Sequence, residues 1–115
     1  MQKVLRLKLK SKSELHVFGA MIKFAYQLQC NKLQFQNDDE MIAVIGMAWQ
    51  LCSVFEKVAS LDKYFNTAST FTIQLNPGQV AAIINFKELY TNTDPFASVV
   101  VNEILSSLDK YIHSL

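Results

Sequence analysis

A stretch that joins a strand, a helix cap and a helix without a gap constrains this chain most. From Thr70 to Tyr90 the sequence reads TFTIQLNPGQVAAIINFKELY. Apolar residues first fall on every second position, which is the period of a half-buried strand, and then recur at helical spacing. Between the two patterns Asn76 and Gln79 have the spacing of a capping box, with Pro77 at the first helical position. The sequence therefore predicts a strand followed at once by an amphipathic helix.

The N-terminal part of the chain repeats this order. Leucines alternate with basic residues over positions 5–9, and Ser11 and Glu14 have the capping-box spacing. The pentapeptide SLDKY occurs twice, at Ser60–Tyr64 and at Ser107–Tyr111, each time at the end of a helical pattern. We therefore predict an α+β, mostly helical fold. It is a duplicated β-α-α unit (β-α-α-β-α-α) with a small two-stranded antiparallel sheet, four helices and a pseudo-twofold axis. Coincidence in a short chain is the alternative explanation of the repeats.

Length and composition set the organisation of the chain. Its 115 residues predict one domain over residues 1–115, with internal units at about 3–64 and 70–113. Half of the residues are hydrophobic and 18% are charged, so apolar surface is left over after a core is built. The net charge of +1 argues against a wholly basic nucleic-acid coat. The uncharged run over residues 41–55 is shorter than the ~20 residues that span a bilayer, and we expect a cytoplasmic protein without a membrane partner.

The predicted elements follow from these patterns and their caps. Asp94 and Pro95 begin the last helix as Asn76 and Pro77 begin the third, and residues 37–40 form a further capping box. The expected elements are a strand at about 3–10, a helix at about 12–35, a helix at about 38–64, a strand at 70–75, a helix from Pro77 to about Tyr90, and a helix from Pro95.

The second helix carries an unusual apolar pair. Its core side is predicted to hold Met41, Val44, Ala48, Leu51, Cys52, Phe55 and Val58. Ile42 and Trp49 lie a heptad apart on its otherwise polar side, and Phe96 points outward on the last helix. One interpretation is a contact surface for another chain or a ligand, formed by Ile42, Trp49 and Phe96. The other is a central helix that the second unit buries on all sides.

The first strand is basic on one face. Arg6, Lys8 and Lys10 alternate with leucines, and Thr72 and Gln74 have the corresponding outward positions on the second strand. One interpretation is a solvated sheet face on which lysines prevent edge-to-edge aggregation. The other is a ribbon that contacts nucleic-acid phosphates or base edges.

The order strand, helix, helix is similar to that of the ribbon-helix-helix transcription factors. The similarity covers the topology and alternation of residues 3–24 and 70–90, and one chain would hold both halves of the family's dimer. It implies an antiparallel ribbon that enters the major groove of DNA with Arg6, Lys8, Lys10, Thr72 and Gln74. The sequence departs from the family in its longer first helix and in a second strand without a basic residue.

The sequence contains no recognisable catalytic constellation. Glycine-rich phosphate loops and paired zinc ligands are absent, and His16 lies on a polar helix face where we expect a solvated imidazole. Cys30 and Cys52 are predicted to be reduced, helix-packing thiols on the order of 12 Å apart along the hairpin. We therefore expect a protein that is not an enzyme and has no cofactor or metal. The primary hypothesis is a homo-oligomeric assembly or protein-interaction module, and the alternative is a DNA-binding regulator.

Overall fold

The computed structural model of the chain describes residues 4–31, 38–64, 69–90 and 94–115. The α+β, mostly helical class is confirmed, because these residues form a two-stranded antiparallel sheet and four α-helices. In chain order the elements are β1 (Leu5–Leu9), α1 (Lys12–Cys30), α2 (Asp38–Tyr64), β2 (Phe71–Leu75), α3 (Pro77–Ile84), a short 3₁₀ helix (Lys87–Leu89) and α4 (Pro95–His113).

The sheet is amphipathic, as the alternation predicts. Leu7 lies opposite Ile73 at the centre of the ladder, and the apolar residues of both strands face the core. Arg6 lies opposite Gln74 and Lys8 opposite Thr72, with all four residues exposed on the other face. A one-residue shift would exchange the two faces, so burial of the apolar face holds this register.

The helix starts follow the predicted caps, with one difference. At α3 the capping box is complete: the Gln79 amide donates to the Asn76 side chain over 2.8 Å, and the Asn76 amide donates to Gln79 Oε1 over 3.0 Å. At α1 the Ser11 hydroxyl accepts from the Glu14 amide, but the Glu14 carboxylate accepts from the Lys10 amide instead of that of Ser11. The reciprocal box predicted at α1 is therefore only half formed. The box predicted at residues 37–40 begins outside the described residues.

Two predicted helices are shorter in the structure. Helix α1 ends at Cys30, and residues 32–37, into which the predicted helix extends, lie outside the described part. Helix α3 ends at Ile84, so the chain does not continue as a helix to Tyr90. Leu89 is consequently exposed, whereas the Tyr90 hydroxyl turns back and donates to the Ile83 carbonyl over 2.6 Å.

One hydrophobic core joins both halves of the chain. The inward face of the sheet meets α1, α3, α4 and the C-terminal half of α2. Helix α1 packs against α2 and α4, and α3 packs against α2 and α4. The largest fully buried apolar side chains are Phe18, Leu9, Leu15, Ile22, Leu51, Ile73, Leu75, Ile83 and Leu108.

Candidate interaction surface

Helix α2 exposes a contiguous row of large apolar side chains. Trp49 is 73% exposed and Ile42 is 66% exposed, although the transfer of apolar side chains out of water is favourable. Around them lie further exposed residues that complete one side of the helix. We call this side the α2 apolar face, and it consists of Met41, Ile42, Ile45, Trp49, Cys52 and Phe55.

The composition of the face corrects two sequence expectations. Met41, Cys52 and Phe55 were assigned to the core side of the helix but are exposed, whereas Val54 is fully buried. The alternative that α2 is buried on all sides is also wrong. Apolar residues occur on two opposite faces of this helix, and hydrophobic periodicity does not distinguish the face that packs internally from the one that does not.

The tertiary structure explains why this face stays uncovered. The buried residues that α2 contributes to the core cluster are Leu51, Val54 and Val58, and the partly buried Met47 and Leu61 pack against this cluster. Nearer the N-terminus of α2, Val44 is buried and the neighbouring Ile45 is 44% exposed. The N-terminal half of α2 therefore contributes fewer buried residues to the core than its C-terminal half does.

A groove lies beside Trp49, between the C-terminal part of α1 and α2. Its volume is about 350 Å³, and its lining residues are Tyr26, Cys30, Val44, Ile45, Ala48, Trp49 and Cys52. The lining is mostly apolar and contains no Asp, Glu, Lys, Arg or His. A protruding indole and an apolar groove thus occupy the same side of the molecule.

The thiols of the groove share one neighbour. The Tyr26 hydroxyl lies near both thiols, and its interactions with them, that with Cys30 first, raise the pKa of Tyr26. Both cysteines are free, as expected. However, Cys52 is exposed, so its interpretation as a helix-packing thiol is wrong. The Tyr26 contact was not predicted, because it depends on the register between α1 and α2.

Phe96 lies on a different element from the other two predicted interface residues. It is 47% exposed in the first turn of α4, and it does not line the groove. The structure therefore brings Ile42 and Trp49 onto one helix face without adding Phe96 to it.

The open face of the sheet brings together most of the predicted nucleic-acid contacts. Arg6, Lys8, Thr72 and Gln74 form two cross-strand pairs, and Lys10 is exposed just beyond β1. Lys57 also reaches this region, because its ammonium donates to the Gln74 carbonyl over 2.6 Å. Sequence reasoning missed Lys57, which lies on α2 and meets β2 only in the folded chain.

Carboxylates accompany these basic residues. A groove beside β1 is lined by Lys8 and Lys10 together with Glu14 and Glu103. A second groove beside β2 includes Glu56 next to Lys57. Negative charge at both margins weakens the attraction of the ribbon for phosphates.

His16 has an acidic neighbour that the sequence did not predict. Its Nε2 atom lies 3.0 Å from Asp62 Oδ1, and Lys12 Nζ lies 3.6 Å from the same oxygen. The hydrogen bond from His16 is the main cause that holds the pKa of Asp62 below its ordinary value, in spite of partial desolvation. All three side chains are exposed at the surface, where the arrangement joins the start of α1 to the end of α2. Among the described residues no group of three or more His, Cys, Asp or Glu could hold a metal ion.

Helix α2 also has the length and composition of a membrane-spanning helix, which the short uncharged run in the sequence did not predict. Over Asp39–Lys63 it is long and apolar enough, by length and composition, to cross a membrane. Its C-terminal half is nevertheless tied to the fold. Ser53 accepts from Gln79, and Lys57 donates to Gln74 and Gln79, so these contacts would be lost if the helix left the body.

The chain matches no protein-family model, no curated protein and no solved structure at a significant level. A functional proposal therefore rests on the surfaces of the chain itself.

Proposed function

We propose that this chain is a non-catalytic assembly module that associates with itself through the α2 apolar face. The observation that carries the proposal is the exposure of Trp49 and Ile42 on a helix that is otherwise well packed at its C-terminal half. Contiguous apolar surface of this kind is typical of protein interaction sites. A tryptophan that becomes buried at the centre of an interface often contributes ~2 kcal/mol or more to binding.

The lack of charge on the same face supports this proposal. Residues 41–55 contain no Asp, Glu, Lys or Arg, so burial of this part of α2 desolvates no ionised side chain of its own. Charged residues are depleted at the centres of stable interfaces, and aromatic residues and Met are enriched there. Met41 and Trp49 fit that composition.

The test is the molecular mass in solution, measured by sedimentation velocity over a range of protein concentrations. We expect the wild-type protein to associate and Trp49→Glu to remain monomeric, because the substitution places a charge in the interface. Leu89→Glu is the matched control, since Leu89 is 51% exposed on the short 3₁₀ helix, away from the face. Circular dichroism confirms that each variant is folded.

A wild-type protein that stays monomeric at every concentration would contradict self-association, as would a Trp49→Glu protein that associates like the wild type. A parallel flotation assay with phosphatidylcholine vesicles separates self-association from insertion of α2 into lipid. Binding to vesicles that Trp49→Glu abolishes, without any oligomer in solution, would assign the face to a membrane instead.

We also infer that the two halves of the chain are a duplicated β-α-α unit related by a pseudo-twofold axis. Several reciprocal contacts support this inference. Helix α1 packs on α4 and α3 packs on α2, while α2 contacts β2 and α4 contacts β1. Leu7 and Ile73, each central in its strand, are paired at the middle of the ladder. Superposition of residues 69–115 on residues 4–64 in an experimental structure, by rotation about an axis through this pair, would test the inference.

DNA binding is the second candidate function. The observation that favours it is the register, which aligns Arg6 with Gln74 and Lys8 with Thr72 on one open face. Fluorescence anisotropy with mixed-sequence duplexes at low and moderate salt tests it. Binding that falls steeply with salt and disappears in Arg6/Lys8/Lys10→Ala would support a ribbon contact. Lys23/Lys63/Lys110→Ala is the control, because it removes three positive charges elsewhere. Equal loss in both triple variants would indicate nonspecific attraction only.

A further inference from the structure

We propose that the partner of the α2 apolar face is the same face of a second copy, packed antiparallel about a twofold axis, with each Trp49 indole seated in the α1–α2 groove of the other copy. The inference rests on the proposed self-association and adds a geometry to it. It assigns the groove between α1 and α2 as the binding site for the indole.

The first argument is that the surface carries both halves of a complementary contact. A twofold interface uses one patch twice, so whatever protrudes from the patch must fit a depression in the same patch. Trp49 protrudes with 73% of its surface exposed, and the groove of about 350 Å³ lies next to it. A patch with only a protrusion or only a groove would instead require a different partner.

The second argument comes from the position of Trp49 within the uncharged run. Residues 41–55 overlap fully in an antiparallel pair only when the twofold axis passes close to residue 48, the middle of the run. Each Trp49 then lies near the axis, opposite the central turns of the other α2. Ala48 and Ile45, which line the groove, belong to those turns. The antiparallel pair therefore brings the indole of each copy opposite groove residues of the other copy.

The third argument is electrostatic. No charged side chain occurs within the overlapping runs, so the antiparallel pair has no like-charge repulsion at its centre. The overlap of 15 residues corresponds to about 22 Å of helix at 1.5 Å per residue.

The chain contains reporters for this geometry at the required places. Trp49 is the only tryptophan, so tryptophan emission has a single origin, and Cys30 and Cys52, the only cysteines, both line the groove. In the isolated chain Cys52 is exposed, so a thiol reagent such as 5,5′-dithiobis(2-nitrobenzoate) can reach it. An indole in the groove would cover this thiol and would itself leave water.

The first experiment measures both reporters across the association range defined by sedimentation. We expect the reaction rate of Cys52 to fall by about tenfold or more on association, because thiol reactivity depends on access. Cys30→Ser isolates the Cys52 signal. Tryptophan emission should shift to shorter wavelength in parallel. Association that leaves the Cys52 rate and the emission unchanged would overturn this geometry while self-association stands, and absence of association would overturn both.

The second experiment is a complementation test that needs no assumption about rates. Trp49→Ala removes the protrusion, and Ala48→Leu fills the groove, so neither variant should form a homodimer at concentrations where the wild type does. A mixture of the two variants still contains, per heterodimer, one intact indole and one groove that Ala48→Leu does not fill, although that groove lacks Trp49 from its lining. We expect the mixture to form a heterodimer that is weaker than the wild-type dimer but stronger than either variant alone. A mixture that associates no better than its components would contradict reciprocal docking.

Discussion

The two halves of the molecule use the same order of elements but differ in helix length. In the first half α1 has 19 residues and α2 has 27, whereas in the second half α3 has 8 and α4 has 19. Helix α4 contributes buried residues along its whole length, from Ala97 to Tyr111. The buried residues that α2 contributes to the core cluster extend only from Leu51 to Val58, with the partly buried Met47 and Leu61 packed against it. The additional length of the first half therefore contributes surface more than core, and the exposed row of apolar residues lies on it.

The largest expected effect concerns the two copies of the SLDKY sequence. Leu108 is fully buried on α4, while Leu61 at the corresponding position of α2 is only partly buried. Leu108→Ala should lower the free energy of unfolding by about 2–5 kcal/mol, and Leu61→Ala by roughly 1–2 kcal/mol, since less apolar contact is lost. Urea denaturation followed by circular dichroism measures both. Equal losses would show that the two copies occupy equivalent environments.

An intermediate effect on the free energy of unfolding is expected for two glycines of the α1–α2 pair, Gly46 and Gly19. A Cβ atom at Gly46 on α2 would meet nothing within 4 Å, whereas one at Gly19 on α1 would lie 3.2 Å from Val58 Cγ1. Gly46→Ala should therefore raise the free energy of unfolding by about 1 kcal/mol through helix propensity. Gly19→Ala should give no gain, because the stiff, buried Val58 side chain must shift. Thermal denaturation of both variants checks this contrast, and a stabilised Gly19→Ala protein would contradict the close packing at the base of the hairpin.

The smallest expected effect is a pH dependence at the surface of the first half. The pKa of Asp62 is lower in the folded chain than its ordinary value, chiefly through the hydrogen bond from His16. A depressed carboxyl pKa stabilises the fold above the pKa of the unfolded chain, about 4, and this contribution is lost as the pH falls through the folded value. Asp62→Asn should therefore lower the urea midpoint slightly at neutral pH and have no effect at strongly acidic pH.

His16→Gln provides a second measurement of the same contact, because it removes the main cause of the shift. At neutral pH the urea midpoint of His16→Gln should shift in the same direction as the urea midpoint of Asp62→Asn. If the urea midpoint of Asp62→Asn fell further below that of the wild type as the pH falls, Asp62 would not be stabilised as a carboxylate in the folded chain.

Local signals predicted much of the fold. The Asn76 and Gln79 capping box and the start of α4 at Asp94 agree with the structure, as does the alternation of both strands. Each depends on neighbours within a few residues, so one sequence contains the required information. The end of α3 was missed, because the Tyr90 hydroxyl bonds back to the Ile83 carbonyl after a change in chain direction.

The candidate surface was predicted only in part. Ile42 and Trp49 were recognised because they interrupt an otherwise polar helix side, and they are among the most exposed apolar residues of the described chain. Cys52 and Phe55 were assigned to the core, and Tyr26 was not assigned to the surface at all. These residues belong to the groove or the face because of how α1 lies against α2, and that register depends on contacts between distant parts of the chain.

By itself the sequence determined the order of the elements, the starts of the helices and the two faces of the sheet, because caps and short periods depend on adjacent residues. Only the tertiary structure decided which of the two apolar sides of α2 is buried, since both satisfy the same helical period. Val58 packs at Gly19 of α1, and Leu51 and Val54 join the common core. Trp49 and Ile42 remain in water because, once those contacts have oriented the helix, they lie on its opposite side.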